Sequence, residues 1–306
     1  MIRRILALSF SVIVSSTLVA SPVGAAERSE ASLGNAGCTP SAAATARSAP
    51  TGRDGMVREP ALDQAFADLP ARAKGKAGAD FAATVEVYFH VVTDGALGNL
   101  TDKQIRDQIT VLNKTFGGRE GGADSGFTFV LAGVTHTDNA KWFAVKTGAE
   151  HDMKKTLKQG DDSDLNVYST TAAAYLGWAF YPSITDTNQS YLDGIVLDWE
   201  TLPGVSERYA GRYDLGETLT HEAGHWLNLA HTFDGGCKEP GDYVDDTPAM
   251  SVPTSGCPEG KDSCPDLPGF DPIHNYMDYS YDSCYTEFTP GQAQRMADAW
   301  LFYRAS

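Results

Sequence analysis

The sequence predicts an α+β fold, in which a mixed sheet with a backing helix is followed by an irregular, loop-rich half. Three observations predict it. Several short runs are β-branched and aromatic, as strands are. A capped amphipathic stretch separates the first two of them. After His231 the chain turns rich in Gly, Pro, Asp and Cys, and periodicity is lost.

The elements follow in chain order. Arg3 and Arg4 precede an uncharged run from Ile5 to Ala20, and small residues follow it. That is the pattern of a secretory signal peptide over residues 1–26. The protein is therefore expected to be secreted and extracellular, where disulfides persist. Residues 27–78 are rich in Ala, Gly, Ser, Pro and Arg, and their only aromatic is Phe66. Such a stretch buries little surface alone and reads as a pro-segment. A weak amphipathic helix is expected around Pro60 to Leu69, and Arg72, Lys74 and Lys76 stand open to a processing protease. Residues 79–306 are the expected catalytic domain.

Within that domain, Val85 to Val92 reads as a strand. Thr101 and Gln104 form a capping box, and Ile105, Ile109, Leu112 and Phe116 then share one helical face. Phe127–Thr135, Leu165–Tyr168, Leu176–Phe180 and Ile195–Trp199 are further strands. Residues 234–289 are expected to be loop. Thr289, Pro290 and Gln292 start a terminal helix that continues through Met296 and Trp300.

Charge narrows the partners. The chain has 306 residues, with 40 acids against 24 Lys and Arg, a net charge of −16. Clustered bases are what nucleic acid and anionic lipid need, so neither is an expected partner. A monomer acting on protein or peptide substrates is the expectation.

Three of the seven histidines lie in one window, His221-Glu222-Ala223-Gly224-His225-Trp226-Leu227-Asn228-Leu229-Ala230-His231. His221 and His225 are four apart, so a helix carries both imidazoles on one face. On an unbroken helix His231 would lie about 15 Å along the axis from His221, while zinc–nitrogen bonds are about 2 Å. The chain must therefore turn back soon after His225, through a residue tolerant of positive φ. Asn228 stands where that turn is needed. Three histidines leave zinc a position for water, and Glu222 is placed to take the proton of that water before it attacks a carbonyl.

This window resembles the elongated zinc motif of the metzincin metallopeptidases. Downstream, Asn275-Tyr276-Met277-Asp278-Tyr279 resembles the turn with methionine that lies beneath their zinc. Together with Cys237, the run Gly241 to Pro248 and Leu176-Gly177-Trp178-Ala179, the sequence resembles the pappalysin family, and its small secreted microbial members in particular. The resemblance runs from about residue 80 to the C-terminus. It implies an upper subdomain with a twisted mixed sheet and zinc helix, over a lower, disulfide-braced subdomain, with an extended peptide bound between them. It implies zinc on His221, His225 and His231, Glu222 as general base, Met277 beneath the metal, and Tyr279 as donor to the tetrahedral intermediate. Asn228 stands where the family has glycine.

Five cysteines divide as four plus one. Cys237, Cys257, Cys264 and Cys284 allow three pairings. The resemblance favours Cys237–Cys264 and Cys257–Cys284. Cys38 lies in the pro-segment, where a thiolate reaching the zinc would keep a zymogen latent. Twelve acids fall between residues 234 and 287 against Lys238 and Lys261. Calcium suits such a loop, and with the resemblance Asp242, Asp245 and Thr247 are its expected ligands; the alternative is a solvated acidic surface. Asp282 follows the methionine turn, where metzincins shape the pocket for the residue after the scissile bond. A carboxylate there favours Arg or Lys. The overall expectation is a secreted zinc endopeptidase made as a zymogen. The competing readings are an inactive zinc-binding module and a zinc hydrolase of non-peptide bonds.

Overall fold

The computed structural model describes residues 45–48, 69–145, 148–172 and 175–305. The signal peptide, Cys38 and the helix expected from Pro60, save Leu69, lie outside the described residues.

Six strands form one sheet: β1 (Thr45–Ser48), β2 (Ala83–Thr93), β3 (Phe127–Asp138), β4 (Leu165–Thr170), β5 (Tyr175–Ala179) and β6 (Ile195–Asp198). Their spatial order is β1-β5-β6-β4-β2-β3. β2 pairs in parallel with β3 and β4, and β4 with β6. β5 is antiparallel to β6, and β1 is antiparallel to β5. The sheet is mixed, as expected. β1 was not expected, and it falls inside the stretch read as pro-segment.

Five α-helices accompany it among the described residues: α1 (Asp102–Thr115), α2 (Ala140–Phe143), α3 (Ala149–Leu157), α4 (Glu217–Trp226) and α5 (Pro290–Tyr303). The expected box starts α1, where the Gln104 N–H donates to Thr101 Oγ1 at 3.3 Å and the Thr101 N–H to Gln104 Oε1 at 2.8 Å. Side chains of a strand alternate between its faces. Val85, Val87, Phe89 and Val91 of β2 accordingly join Ile105 and Leu112 of α1 in the main core. Leu219, Ala223 and Trp226 of α4 enter the same core. α4 is thus seated on the sheet by apolar contact along its length.

The other face carries a second core of Val92, Phe143, Met153, Tyr168, Trp178 and Val196, among others. α2 and α3 cover it, so the sheet is covered on both faces rather than by one backing helix. From Leu227 to Phe288 the chain has no α-helix or strand beyond a 3₁₀ turn at Asp282–Cys284. The methionine turn lies in that stretch, and α5 closes the chain against Trp226.

Candidate metal centre

α4 brings His221 and His225 onto one face and ends at Trp226. The end is made by Asn228, at φ 76. Its N–H donates to the His225 carbonyl, and the Leu229 N–H donates to the Gly224 carbonyl, both at 2.9 Å. These two bonds are the Schellman pattern that closes a helix at a left-handed residue. Asn tolerates that conformation better than other side chains do, so the turn stands without glycine. Two arginines hold it from outside. Arg295 Nε donates to the Asn228 carbonyl at 2.9 Å, and an Arg304 nitrogen to the Trp226 carbonyl at 3.0 Å.

The turn delivers His231 to the other two imidazoles. His225 Nε2 lies 3.0 Å from His221 Nε2 and 3.2 Å from His231 Nε2. All three side chains are buried. Their far nitrogens are engaged elsewhere: His221 Nδ1 with the Tyr276 carbonyl at 2.6 Å, and His225 Nδ1 with the Leu229 carbonyl at 2.7 Å. His231 Nδ1 is 3.4 Å from Asp234 Oδ2. A carbonyl accepts only from a protonated nitrogen, so Nε2 of His221 and of His225 carries a lone pair. Burial, then the neighbouring His231, holds His225 well below the usual imidazole range. Three imidazole nitrogens converging on one point form a site for a cation, and the three ligand atoms lie within 4.8 Å of one another. The donor set and its outer partners fit zinc.

Glu222, next to His221 on α4, is fully buried. β5 passes it closely, since a Cβ added at Gly177 would stand 3.1 Å from Glu222 Cγ. Met277 is fully buried, and a Cβ added at Gly224 would collide with its sulfur, so the methionine turn lies directly against α4. The Tyr279 hydroxyl is 3.1 Å from His231 Nε2.

Comparison with known proteins agrees with this geometry. Residues 164–300 match the peptidase M43 family model, described as pregnancy-associated plasma protein-A. An extracellular metalloprotease of Pyricularia oryzae is 43% identical, over 84% of this chain and 89% of the relative. The chain belongs to the pappalysin family. An extracellular metalloprotease of Neurospora crassa is 46% identical over 76% of the chain and 80% of its own length. Among solved structures, mirolysin in complex with a compound matches with a TM-score of 0.63 at 28% identity, covering 70% of this chain and 90% of mirolysin. A promirolysin mutant from Tannerella forsythia matches with a TM-score of 0.66 at 26% identity, covering 78% and 86%. This pappalysin is a metalloendopeptidase with a metzincin fold.

The remaining expected residues of the pappalysin lie in its irregular half. Cys237 pairs with Cys264 and Cys257 with Cys284, with Cα separations of 5.5 and 5.6 Å. Asp282 is buried; its Oδ2 accepts the Leu215 N–H at 3.0 Å, two residues before α4 begins. Asp242 and Thr247 come together, with the Thr247 hydroxyl 2.7 and 2.8 Å from the two Asp242 oxygens. Burial pushes the Asp242 carboxyl up to about 7. Asp245 is exposed.

Sequence reasoning missed several residues. Arg295 and Arg304 brace the metal turn, and each stands on a terminal segment otherwise rich in buried apolar residues. A cation on such a face is the signal that could have found them. Glu217 and Thr218, one turn before His221, are buried, and Glu217 Oε2 and Thr218 Oγ1 have no hydrogen-bond partner among the described residues.

Proposed function

We propose that this pappalysin is a secreted zinc endopeptidase, made as a latent precursor, in which Glu222 moves the proton of the attacking water. The observation that carries the reading is the convergence of three buried imidazoles, with their outer nitrogens engaged, beside the buried Glu222. Zinc, when bound by His221, His225 and His231, supplies Lewis-acid polarisation. Glu222 accepts a proton from water and passes it to the departing amine. The Tyr279 hydroxyl donates to the carbonyl oxygen as charge builds there. The substrate backbone pairs with the edge of β5, whose Gly177 lets the strand lie close against Glu222.

Latency is supported by β1, which already occupies that edge: Ala46 pairs with Trp178 and Arg47 with Gly177. Cys38, seven residues before β1, is the proposed thiolate that holds the metal in the precursor. Asp282 is the proposed acidic floor of the pocket for the residue after the scissile bond, favouring Arg or Lys. Calcium is proposed at Asp242, Asp245 and Thr247, because burial raises the Asp242 carboxyl despite the nearby Arg295 charge and a divalent cation would offset that cost.

Casein cleavage by the purified secreted protein tests the core of this. Glu222→Ala should lose at least about 10³-fold in rate while keeping its zinc. A chelator should abolish activity and added zinc restore it. Activity that survives both perturbations refutes the mechanism. Cys38→Ala should shorten the activation lag, and Asp282→Asn should erase a preference for Arg over Leu after the cleaved bond. Calcium should raise the wild-type Tm and leave Asp242→Asn unmoved.

A further inference from the structure

Residues 69–77 precede the boundary that composition sets at residue 78, yet they are built into the domain. Leu69, Ala73 and Ala77 are 4%, 1% and 9% exposed. Leu69 and Ala73 pack on Ala299 of α5, with Phe302 and Tyr303 alongside. The Arg72 guanidinium lies over the Phe302 ring at 5.1 Å.

The main chain is held as firmly. Asp298, on α5 and only 4% exposed, accepts three consecutive backbone N–H groups: Gly75 at 2.6 Å, Lys76 at 2.7 Å and Ala77 at 2.8 Å. The Gln294 amide donates to Asp298 at 3.1 Å and to the Ala77 carbonyl at 3.1 Å. A buried carboxylate needs donors, and three of these four come from the segment. Removing the segment would strand Asp298 and bare the apolar face of α5.

We propose that Leu69–Ala77 is a clasp kept by the mature enzyme, and that the cut releasing the pro-segment falls on the N-terminal side of Leu69. The exposed bases Arg72, Lys74 and Lys76 are then not the processing sites, contrary to what their accessibility alone indicates. A protease binds its substrate as an extended strand through main-chain hydrogen bonds. Here the N–H groups that follow Lys74 and Lys76 are already committed to Asp298. The clasp also bears on the metal centre, because α5 carries Arg295, which holds the Asn228 turn. The existence of a cut rests on the latency reading; the clasp itself does not.

The test uses the full chain, purified from culture medium. Intact mass and N-terminal sequencing should find a mature start before Leu69. A start at Ala73, Gly75, Ala77 or Ala79 overturns the proposal. In parallel, a foreign protease site is inserted before Leu69 or before Ala79 and cut after folding. Cutting before Leu69 sets the reference, since both cuts free the β1 strand and only the second frees the clasp. Relative to the form cut before Leu69, the form cut before Ala79 should show a Tm lower by at least about 4 °C and a kcat/KM several-fold lower, and Asp298→Asn cut before Leu69 should shift in the same direction. Equal Tm and kcat/KM for the two cut forms overturn the clasp. If the secreted protein keeps residues 27–68 and is fully active, the latency reading fails, and the two cut forms still decide the clasp.

Discussion

Before His231 the chain is held by a sheet with two apolar faces; after it, by carboxylates and disulfides. In the first part, the strands and α1, α3 and α4 bury side chains at regular spacing, so each element is positioned by area. In the second, single acidic groups do what area does elsewhere. Asp271 accepts the Ser263 N–H at 2.9 Å, Asp278 the Thr254 N–H at 3.0 Å, and Asp246 the Gly291 N–H at 2.8 Å. Asp282 ties the loop before α4 in the same way. The acidity of this region is therefore partly structural: seven of its twelve carboxylates accept main-chain N–H groups, and four of those seven, Asp242, Asp271, Asp278 and Asp282, are buried, in a segment that lacks a ladder of its own. The difference teaches where each half is fragile. The first fails by loss of volume, the second by loss of one bond.

Four substitutions sharpen that contrast, beginning with the largest effect. Phe89→Ala empties the centre of the main core and should cost about 3–5 kcal/mol, seen as one cooperative loss in chemical denaturation. Replacing Cys257 and Cys284 together by Ser should cost about 2–5 kcal/mol. That damage should stay local, with far-UV dichroism of the sheet kept and new proteolytic nicks confined to residues 234–289. Loss of the sheet signal as well would show that the halves do not separate. Asn228→Ala places an ordinary side chain in the left-handed turn and should cost about 1–2 kcal/mol, with weaker zinc retention in competition with a chelator.

The last of the four acts only through pH and concerns Asp198, at the end of β6. Burial pushes its carboxyl up to about 7, against 3.8 for the free group. A raised carboxyl adds stability below its unfolded pKa, and that contribution is lost as pH rises through the folded value. Wild type should therefore lose stability between about pH 4 and pH 8, at no more than about 1.4 kcal/mol per unit from this group. Asp198→Asn should flatten that slope in denaturation measured across the range, and an unchanged slope would assign it elsewhere.

The legible parts of the sequence were those whose cause is local. The box at Thr101 and Gln104, the alternation along β2, the four-residue spacing of His221 and His225, and the need for a turn at Asn228 are written within a few residues of one another. α2 and α3 were not legible. α3 buries Lys154 fully, its ammonium bonded to the Leu192 carbonyl at 2.7 Å and 4.8 Å from the Phe180 ring centre, so its inner face carries a charge where a pattern search wants a hydrophobe. Arg304 and Asp193 form a buried ion pair at 3.0 Å across 111 residues. Nothing local to either residue announces it. The disulfide pairing likewise came from resemblance, since spacing left three choices open.

One more consequence follows from the strand at the edge of the sheet. β1 belongs to the same polypeptide as the edge it covers, so it competes for that edge at an effective concentration, of the order of mM for short linkers, that dilution of the enzyme does not change. In the proposed substrate mode, a peptide arriving from solution meets the same N–H and C=O groups and has to outcompete that figure. On the proposed latency, cutting the chain between β1 and the domain leaves the strand to compete only at its real concentration. That reading then expects dilution into the surroundings to open the cleft.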